Sequence, residues 1–284
     1  MNKIKPAFTE KNIPILFASN DVFSPYAAVM IQSVIDHASL ENNYDIIIFH
    51  GAISDNKQQM IQSLSQHRTN ISIRFVNVDP IFDSLDLYTD IQNMRLTKET
   101  YYRLAAGQVL SNEYTKIIYL DGDMITLVDI AELYDIELGN CYLAAPYDIT
   151  GIGYCCKPGN NRVHYRKNVL GLTDINSYFI AGLLVLNLSL LRQDYPGDSL
   201  LKIAASREWR QHDQDVLNVI CNNKKAILLH PQWNVLPDFG NNRYLPQHLK
   251  KMWLESELKP FIIHYGGAKK PWKQNVIREE YFWE

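Results

Sequence analysis

The sequence predicts an α/β protein whose central sheet is mostly parallel and flanked by helices. Three observations carry that expectation. Short apolar runs alternate with helical patterns through the first half, which is the order of βαβ units. The runs are nearly continuous in Ile, Leu, Val and Phe, as fits strands covered on both faces. Polar and acidic clusters stand immediately after such runs, beyond the carboxyl ends of strands, where open parallel sheets bind their ligands.

Taken in order, Ile13–Ala18, 45–49, Ile71–Val76 and Lys116–Leu120 read as strands, and Pro25–His37, Ser54–Gln66 and Lys98–Leu110 as helices. In the second half, 141–145 and Leu183–Leu188 read as strands, and 196–207 and Asp213–Cys221 as helices. The segment 148–162 is rich in Gly, Asn and Tyr and reads as a mobile active-site loop. The segment 231–245, with Trp233, Asn234 and Gly240-Asn241-Asn242, reads as irregular and suits either an acceptor site or a wrap around the sheet edge. No internal repeat, low-complexity tract or Gly/Ser linker interrupts the chain, so one domain over 1–284 is the economical division.

Composition narrows the function classes. The 284 residues are 46% hydrophobic and 21% charged, enough for one large core. A formal net charge of -3 with no long basic run argues against binding nucleic acid. Cys141, Cys155, Cys156 and Cys221 lack zinc-like spacing, and adjacent Cys155-Cys156 makes a poor structural disulfide, so a reducing cytoplasm is the expected compartment. Met1 to Glu10 carries lysines but no apolar core of a secretory signal. No stretch approaches the ~18 apolar residues of a spanning helix. The tail Ile277–Glu284 mixes aromatic residues with both charges, and docking on a membrane or on its own chain both remain open.

The most informative run is Lys116-Ile117-Ile118-Tyr119-Leu120-Asp121-Gly122-Asp123. Side chains alternate along an extended segment, so Asp121 and Asp123 are expected to point the same way with no bulk between them at Gly122. Carboxylates held side by side repel unless a cation sits between them, and a hard divalent ion that keeps positions open for phosphate suits them. A simple turn is the alternative, since Asp and Gly are common where strands end. The second run is Phe261-Ile262-Ile263-His264, followed by Tyr265-Gly266-Gly267-Ala268-Lys269-Lys270-Pro271-Trp272. His264 can complete a metal site. Gly267 lets backbone approach an anion, and Lys270 can donate to phosphate. Pro271 suits the first turn of a helix. A glycine turn with a solvated lysine pair is the alternative.

These motifs, with their order and spacing, resemble glycosyltransferase family 8 over nearly the whole chain. The matching segments are Ile15-Leu16-Phe17-Ala18-Ser19-Asn20-Asp21, Thr100-Tyr101-Tyr102-Arg103-Leu104, Tyr119-Leu120-Asp121-Gly122-Asp123, Tyr178-Phe179-Ile180-Ala181-Gly182-Leu183 and Asp213-Gln214-Asp215-Val216-Leu217-Asn218. The H-x-x-G-x-x-K-P-W signature closes the set, filled by His264, Gly267, Lys270, Pro271 and Trp272. The resemblance implies a Rossmann-like GT-A fold, with a nucleotide-binding half at about 10–125 and an acceptor-side half at 126–284. It implies a metal-dependent hexosyltransferase that moves galactose or glucose from a UDP-sugar, with retention, to a glycan, glycolipid or glycoprotein. Asp121, Asp123 and His264 would hold manganese, the usual ion of the family, although magnesium also suits oxygen ligands. Ala18, Asn20 and Phe23 would meet the nucleotide, and Gly267 and Lys270 the diphosphate. Arg103 would contact the donor sugar or its phosphates, Asp213 would accept from sugar hydroxyls, and the Gln214 side-chain oxygen would face the anomeric carbon.

Two departures from the family pattern matter. Val22 stands where relatives carry a polar residue, and Ile180 where many carry an Asn that faces the donor sugar. The second leaves the donor hexose open. Peripheral membrane contact is compatible with the aromatic tail, and the acceptor cannot be read. Two other readings compete: a sugar nucleotidyltransferase, disfavoured because Ala18-Ser19-Asn20-Asp21 lacks a glycine-rich phosphate loop with a lysine, and a degenerate partner-binding subunit, disfavoured because every metal ligand and Lys270 is present.

Overall fold

The computed structural model describes residues 3–89, 97–222, 224–237 and 242–284. Nine strands form in the described residues: β1 (Asn12–Ala18), β2 (Asn43–His50), β3 (Ile71–Asn77), β4 (Lys116–Leu120), β5 (Met124–Thr126), β6 (Leu143–Pro146), β7 (Leu183–Asn187), β8 (Ala226–Leu229) and β9 (Ile262–His264). Seven make one sheet in the order β3-β2-β1-β4-β7-β6-β8. Only β7 runs against its neighbours β4 and β6.

The sheet is covered on both faces, as the continuous apolar runs require. Leu16, Ile47, Phe49, Ile117 and Tyr119 face one core, while Ile15, Phe17, Ile46, Ile48 and Ile118 face the other. Each such side chain taken out of water stabilises the fold by roughly 1.5–3 kcal/mol, so the alternation fixes the register of the central strands. The helix Ser24–His37 carries the chain from β1 to β2, and Asp55–Gln62 carries it from β2 to β3. The chain then returns to the other side of β1 to place β4. Between β1 and β4 the strand order reverses, and a crevice opens there at the carboxyl ends. Ile15 pairs with Ile118 and Leu16 with Tyr119; continuing that register sets Ala18 level with Asp121.

A second, two-stranded ribbon joins distant parts of the sequence. β5 pairs antiparallel with β9, with Met124 opposite His264. The run ending in His264 is thereby delivered to the turn that bears Asp123.

Four expectations are corrected. The strand ends at Leu120 as read, but Asp121 to Asp123 does not continue in extended form: the two aspartates flank a turn before β5. The segment 148–162 is not a loop throughout. Ile149–Cys156 is helical, with Asp148 Oδ1 accepting from the Gly151 N–H at 2.8 Å. Gly151 is there for space, since a Cβ would stand 2.0 Å from Asp148 Oδ2 and 2.6 Å from Arg166 Nη2. The single helix expected over Lys98–Leu110 is broken into Glu99–Tyr102, a 3-10 turn at Arg103–Ala105 and Ala106–Val109, because Arg103 turns its side chain inward. Pro271 opens a single turn, closed by Lys273 and Gln274 N–H groups on the Lys270 carbonyl, and not a helix; the next helix is the short Glu280–Trp283.

Of the segment 231–245, residues 238–241 lie outside the described residues. Its first part is ordered by the 3-10 turn Pro231–Asn234 and by Val235 bridging to Ile263. The helix Gln247–Leu258 and strand β8 have no counterpart in the sequence reading. In the tail, Phe282 is buried against Tyr265 and Trp272, so this aromatic docks on its own chain, while Trp283 is exposed.

Candidate active site

A cleft of about 840 Å³ opens over the carboxyl ends of β1 and β4. Ala18, Asn20, Phe23, Arg103, Asp121, Asp123, Asp213, Gln214, His264, Gly267 and Lys270 all line it. Residues from both ends of the sequence meet here because of the β5–β9 ribbon and one aromatic contact. The Trp272 and Tyr26 rings stack at 3.9 Å between centroids and 9° between planes, tying the C-terminal turn to the start of the helix that follows the Asn20 loop.

Asp121, Asp123 and His264 offer ligand atoms that all lie within 4.8 Å of one another. His264 Nε2 is 3.2 Å from Asp123 Oδ1 and 3.9 Å from Asp121 Oδ2. On its far side the ring meets Asn234, with Nδ1 and Oδ1 at 2.8 Å. An amide oxygen only accepts, so Nδ1 carries the proton and Nε2 faces the carboxylates. A lone pair aimed at two anions is stable only with a proton or a cation between them. The packing preserves that gap. A Cβ on Gly182 would stand 2.7 Å from His264 Cε1 and 2.9 Å from Asp121 Oδ2, and one on Gly122 would stand 2.8 Å from the Ala27 Cβ. An oxygen-and-imidazole donor set of this kind fits a divalent cation.

Two cations offset part of the charge around the cluster. Lys270 Nζ binds Asp123 Oδ2 and the Tyr265 carbonyl. Burial works to raise the Asp123 pKa, but Lys270 and His264 outweigh it and hold the group well below the usual carboxylate range. Arg103 is 6% exposed; Nη2 donates to Asp121 Oδ1 at 2.9 Å, Nη1 donates to the Ala181 carbonyl, and the guanidinium lies 4.0 Å from the Tyr119 ring centroid. The expectation of a donor contact thus meets a side chain already built into the wall of the site.

Asp213 Oδ2 lies 3.1 Å from Arg103 Nε, yet that N–H is directed at the Thr100 carbonyl. The carboxylate oxygen is left buried without a hydrogen-bond donor. Burial raises the Asp213 pKa, Arg103 lowers it and Asp121 raises it, and the balance lies at about 7. Gln214 is held at both ends: Oε1 accepts from the Ala181 N–H at 3.0 Å and Nε2 donates to Asp148 Oδ2 at 3.2 Å. A backbone donor on one side and a carboxylate on the other fix the amide orientation. Its oxygen thus accepts one hydrogen bond from the wall of the site and keeps a second lone pair. Asn20 Oδ1 likewise accepts from the Phe23 N–H at 3.0 Å, shaping its own loop.

Three residues escaped the sequence reading as functional. Asn234 orients His264, Asp148 holds Gln214, and Gly182 makes room for the metal-type cluster. Gly182 stands in the Ile180-Ala181-Gly182 motif and Asp148 opens the segment that reads as an active-site loop, while Asn234 sits in a segment that reads as irregular.

Comparison with known proteins defines the class first. The fold matches the WbbM bifunctional glycosyltransferase with a TM-score of 0.88 at 25% identity, over 99% of this chain and 50% of that one. It matches galactosyltransferase LgtC, solved with donor and acceptor sugar analogs, with a TM-score of 0.73 at 22% identity, over 95% of this chain and 94% of that one. The architecture is that of GT-A glycosyltransferases. The chain belongs to glycosyl transferase family 8, whose family model matches residues 14–276. Among sequence relatives, general stress protein A of Bacillus subtilis is 25% identical over 280 residues, 94% of this chain and 91% of that protein. The lipopolysaccharide 1,2-glucosyltransferase of Escherichia coli is 26% identical over 247 residues, 83% of this chain and 65% of that protein. Among the described residues no helix is long and apolar enough to cross a membrane.

Proposed function

We propose that this family 8 glycosyltransferase is a metal-dependent, retaining hexosyltransferase that takes galactose or glucose from a UDP-sugar and passes it to a glycan-bearing acceptor. One observation carries the reading. Asp121, Asp123 and His264 converge in a cleft that also presents Lys270, at the point where the strand order reverses. That is the equipment for gripping a diphosphate.

Each residue then has a task. The Ala18–Phe23 loop cradles the nucleotide base. Asp121, Asp123 and His264 would hold manganese or magnesium, which when bound offsets the negative charge of the diphosphate. Lys270 exchanges its contact with Asp123 for a phosphate oxygen, and Gly267, at φ 91°, lets the backbone pass close to the same group. As the bond to the anomeric carbon lengthens, charge builds on the departing phosphate, and Lys270 stabilises it more than it stabilises the intact donor. Asp213 Oδ2, a buried acceptor without a donor, takes a sugar hydroxyl and fixes the ring. Arg103 keeps Asp213 and Asp121 in place through ion pairs with both.

Gln214 does not act as nucleophile in this reading. A neutral amide is a weak nucleophile, and this one, held at Oε1 by the Ala181 N–H and at Nε2 by Asp148, serves as a fixed polar wall beside the anomeric carbon. The acceptor hydroxyl attacks on the face the diphosphate leaves, and the leaving phosphate oxygen takes its proton. A screen of UDP release across UDP-sugars, with manganese and without acceptor, tests the proposal. Slow hydrolysis of one or two UDP-hexoses is expected; no release or binding of any UDP-sugar contradicts it.

A further inference from the structure

We propose that the acceptor carries a negative charge, phosphate or carboxylate, recognised by a basic, aromatic surface that continues outward from the cleft. The inference rests on the transferase reading above and names the acceptor class for it.

The surface begins at Thr150 and Gln211, which line the cleft on the side of Gln214. One turn along the helix Ile149–Cys156, on the same face as Thr150, stands Tyr154, 38% exposed. The Arg162 guanidinium lies over its ring at 5.0 Å. From Gln211 the chain leads back to Arg210, whose guanidinium lies 4.5 Å from the Tyr165 ring and whose Nη1 donates to Asn161 Oδ1 at 3.3 Å. The Arg210 N–H donates to the Tyr165 hydroxyl at 3.1 Å, so the two arginine segments abut.

The charge of this surface runs against that of the chain. From Ile149 to Thr173 there is no acidic residue, whereas Lys157, Arg162, Arg166 and Lys167 all fall within it, in a protein with 31 acids and net charge -3. Arg166 is buried and pairs with Asp148, so it belongs to the site wall. Lys157, Arg162, Lys167 and Arg210 form no ion pair with a described residue. The nearest acids are mostly engaged: Asp148 pairs with Arg166, Asp174 accepts from the Asn176 N–H and the Ser177 hydroxyl, buried Asp215 accepts from the Tyr165 hydroxyl and the Gln211 N–H, and Glu208 is exposed two residues before Arg210. Stacking uses the face of a guanidinium and leaves its N–H edge for an oxyanion, which it can grip in a bidentate manner. Tyr154 adds a flat apolar face of the kind that a hexose ring covers. Together these groups fit an acceptor sugar with an anionic substituent beyond the hydroxyl that attacks.

The test uses three disaccharides matched except for charge: neutral, 6-phosphorylated and uronic acid. Binding of each to the full chain saturated with UDP and manganese is followed by saturation-transfer NMR and calorimetry. The account expects the anionic pair to bind roughly tenfold or more tightly than the neutral one, and the preference to weaken as salt rises. The double variant Arg162→Gln/Arg210→Gln should lose the preference, while Lys250→Gln/Lys251→Gln, exposed on a different helix, should keep it. The phosphate and uronate arms separate the two sources of charge. Equal binding of neutral and charged sugars, no binding of the charged ones, or a preference that survives the arginine variant overturns the proposal. If wild-type protein releases UDP from a UDP-sugar in the same preparation, such a failure belongs to the acceptor inference; if it neither binds nor turns over any UDP-sugar, the failure belongs to the transferase reading.

Discussion

His264 does not reach its carboxylates unaided. Asn234 accepts from Nδ1 and so sets which nitrogen faces Asp121 and Asp123, the arrangement by which ligating imidazoles are usually oriented. Asn234→Ala should leave the fold intact and weaken manganese binding by roughly tenfold or more, while Asn234→Asp, which keeps the acceptor, should retain most of it. Calorimetric titration of manganese into the UDP-bound protein reads both, and equal loss in the two variants would mean that the amide does not orient the ring. Asp213 gives a second prediction. Its carboxyl ordinarily titrates near 3.8 and here near 7, because burial outweighs the pull of Arg103. Between those values the native side chain keeps a proton that the unfolded chain releases. The native state therefore binds more protons, and this group's contribution to stability falls as pH rises from about 4 to 7. Asp213→Asn removes that contribution, so in metal-free protein the melting temperature of the variant should gain on wild type between pH 5 and pH 8. A gap that stays constant with pH would contradict the assignment. The same substitution should cut turnover more than UDP affinity, as the proposed contact of Asp213 with a sugar hydroxyl requires.

At the scale of elements, the ribbon β5–β9 and the Tyr26–Trp272 stack decide whether the two ends of the sequence can serve one ligand. Amides from Ile263 to Trp272 should exchange more slowly when UDP and manganese are added together than with either alone, as the glycine-bearing turn closes over the diphosphate. Unchanged exchange, with UDP demonstrably bound, would put the diphosphate elsewhere. This scale also separates what sequence reveals from what it hides. The strands β1 to β4 were legible because burial on both faces writes a continuous apolar run. The cluster ligands were legible because each follows such a run directly. The helix Ile149–Cys156 was not, since Gly151, which makes room for Asp148 and Arg166, and Gly153 look, in one dimension, like loop chemistry. Gln247–Leu258 was missed because Pro231–Leu245 drew the reading toward irregular chain and the helix itself is largely solvated. The engaged oxygen of Gln214 is a tertiary fact, set by Ala181 and Asp148, and no local pattern encodes it.

For the whole molecule, Glu99, Asp121, Asp123 and Asp148, with Asp213 about half charged near pH 7, line one cleft with the cations Arg103, Lys270 and Lys273. That arrangement leaves an excess of negative charge where a diphosphate is to bind, so the site should accept the nucleotide poorly until a divalent cation reverses the balance. The central claim is thus a linkage between metal and diphosphate, and calorimetric titration of UDP tests it most directly, on wild type and on Asp123→Asn, in manganese and in excess chelator. Wild type should bind UDP in manganese and lose roughly two orders of magnitude in affinity on chelation, and Asp123→Asn should bind weakly in both conditions while keeping its melting temperature. UDP affinity in wild type that is the same with manganese and with chelator would contradict the account.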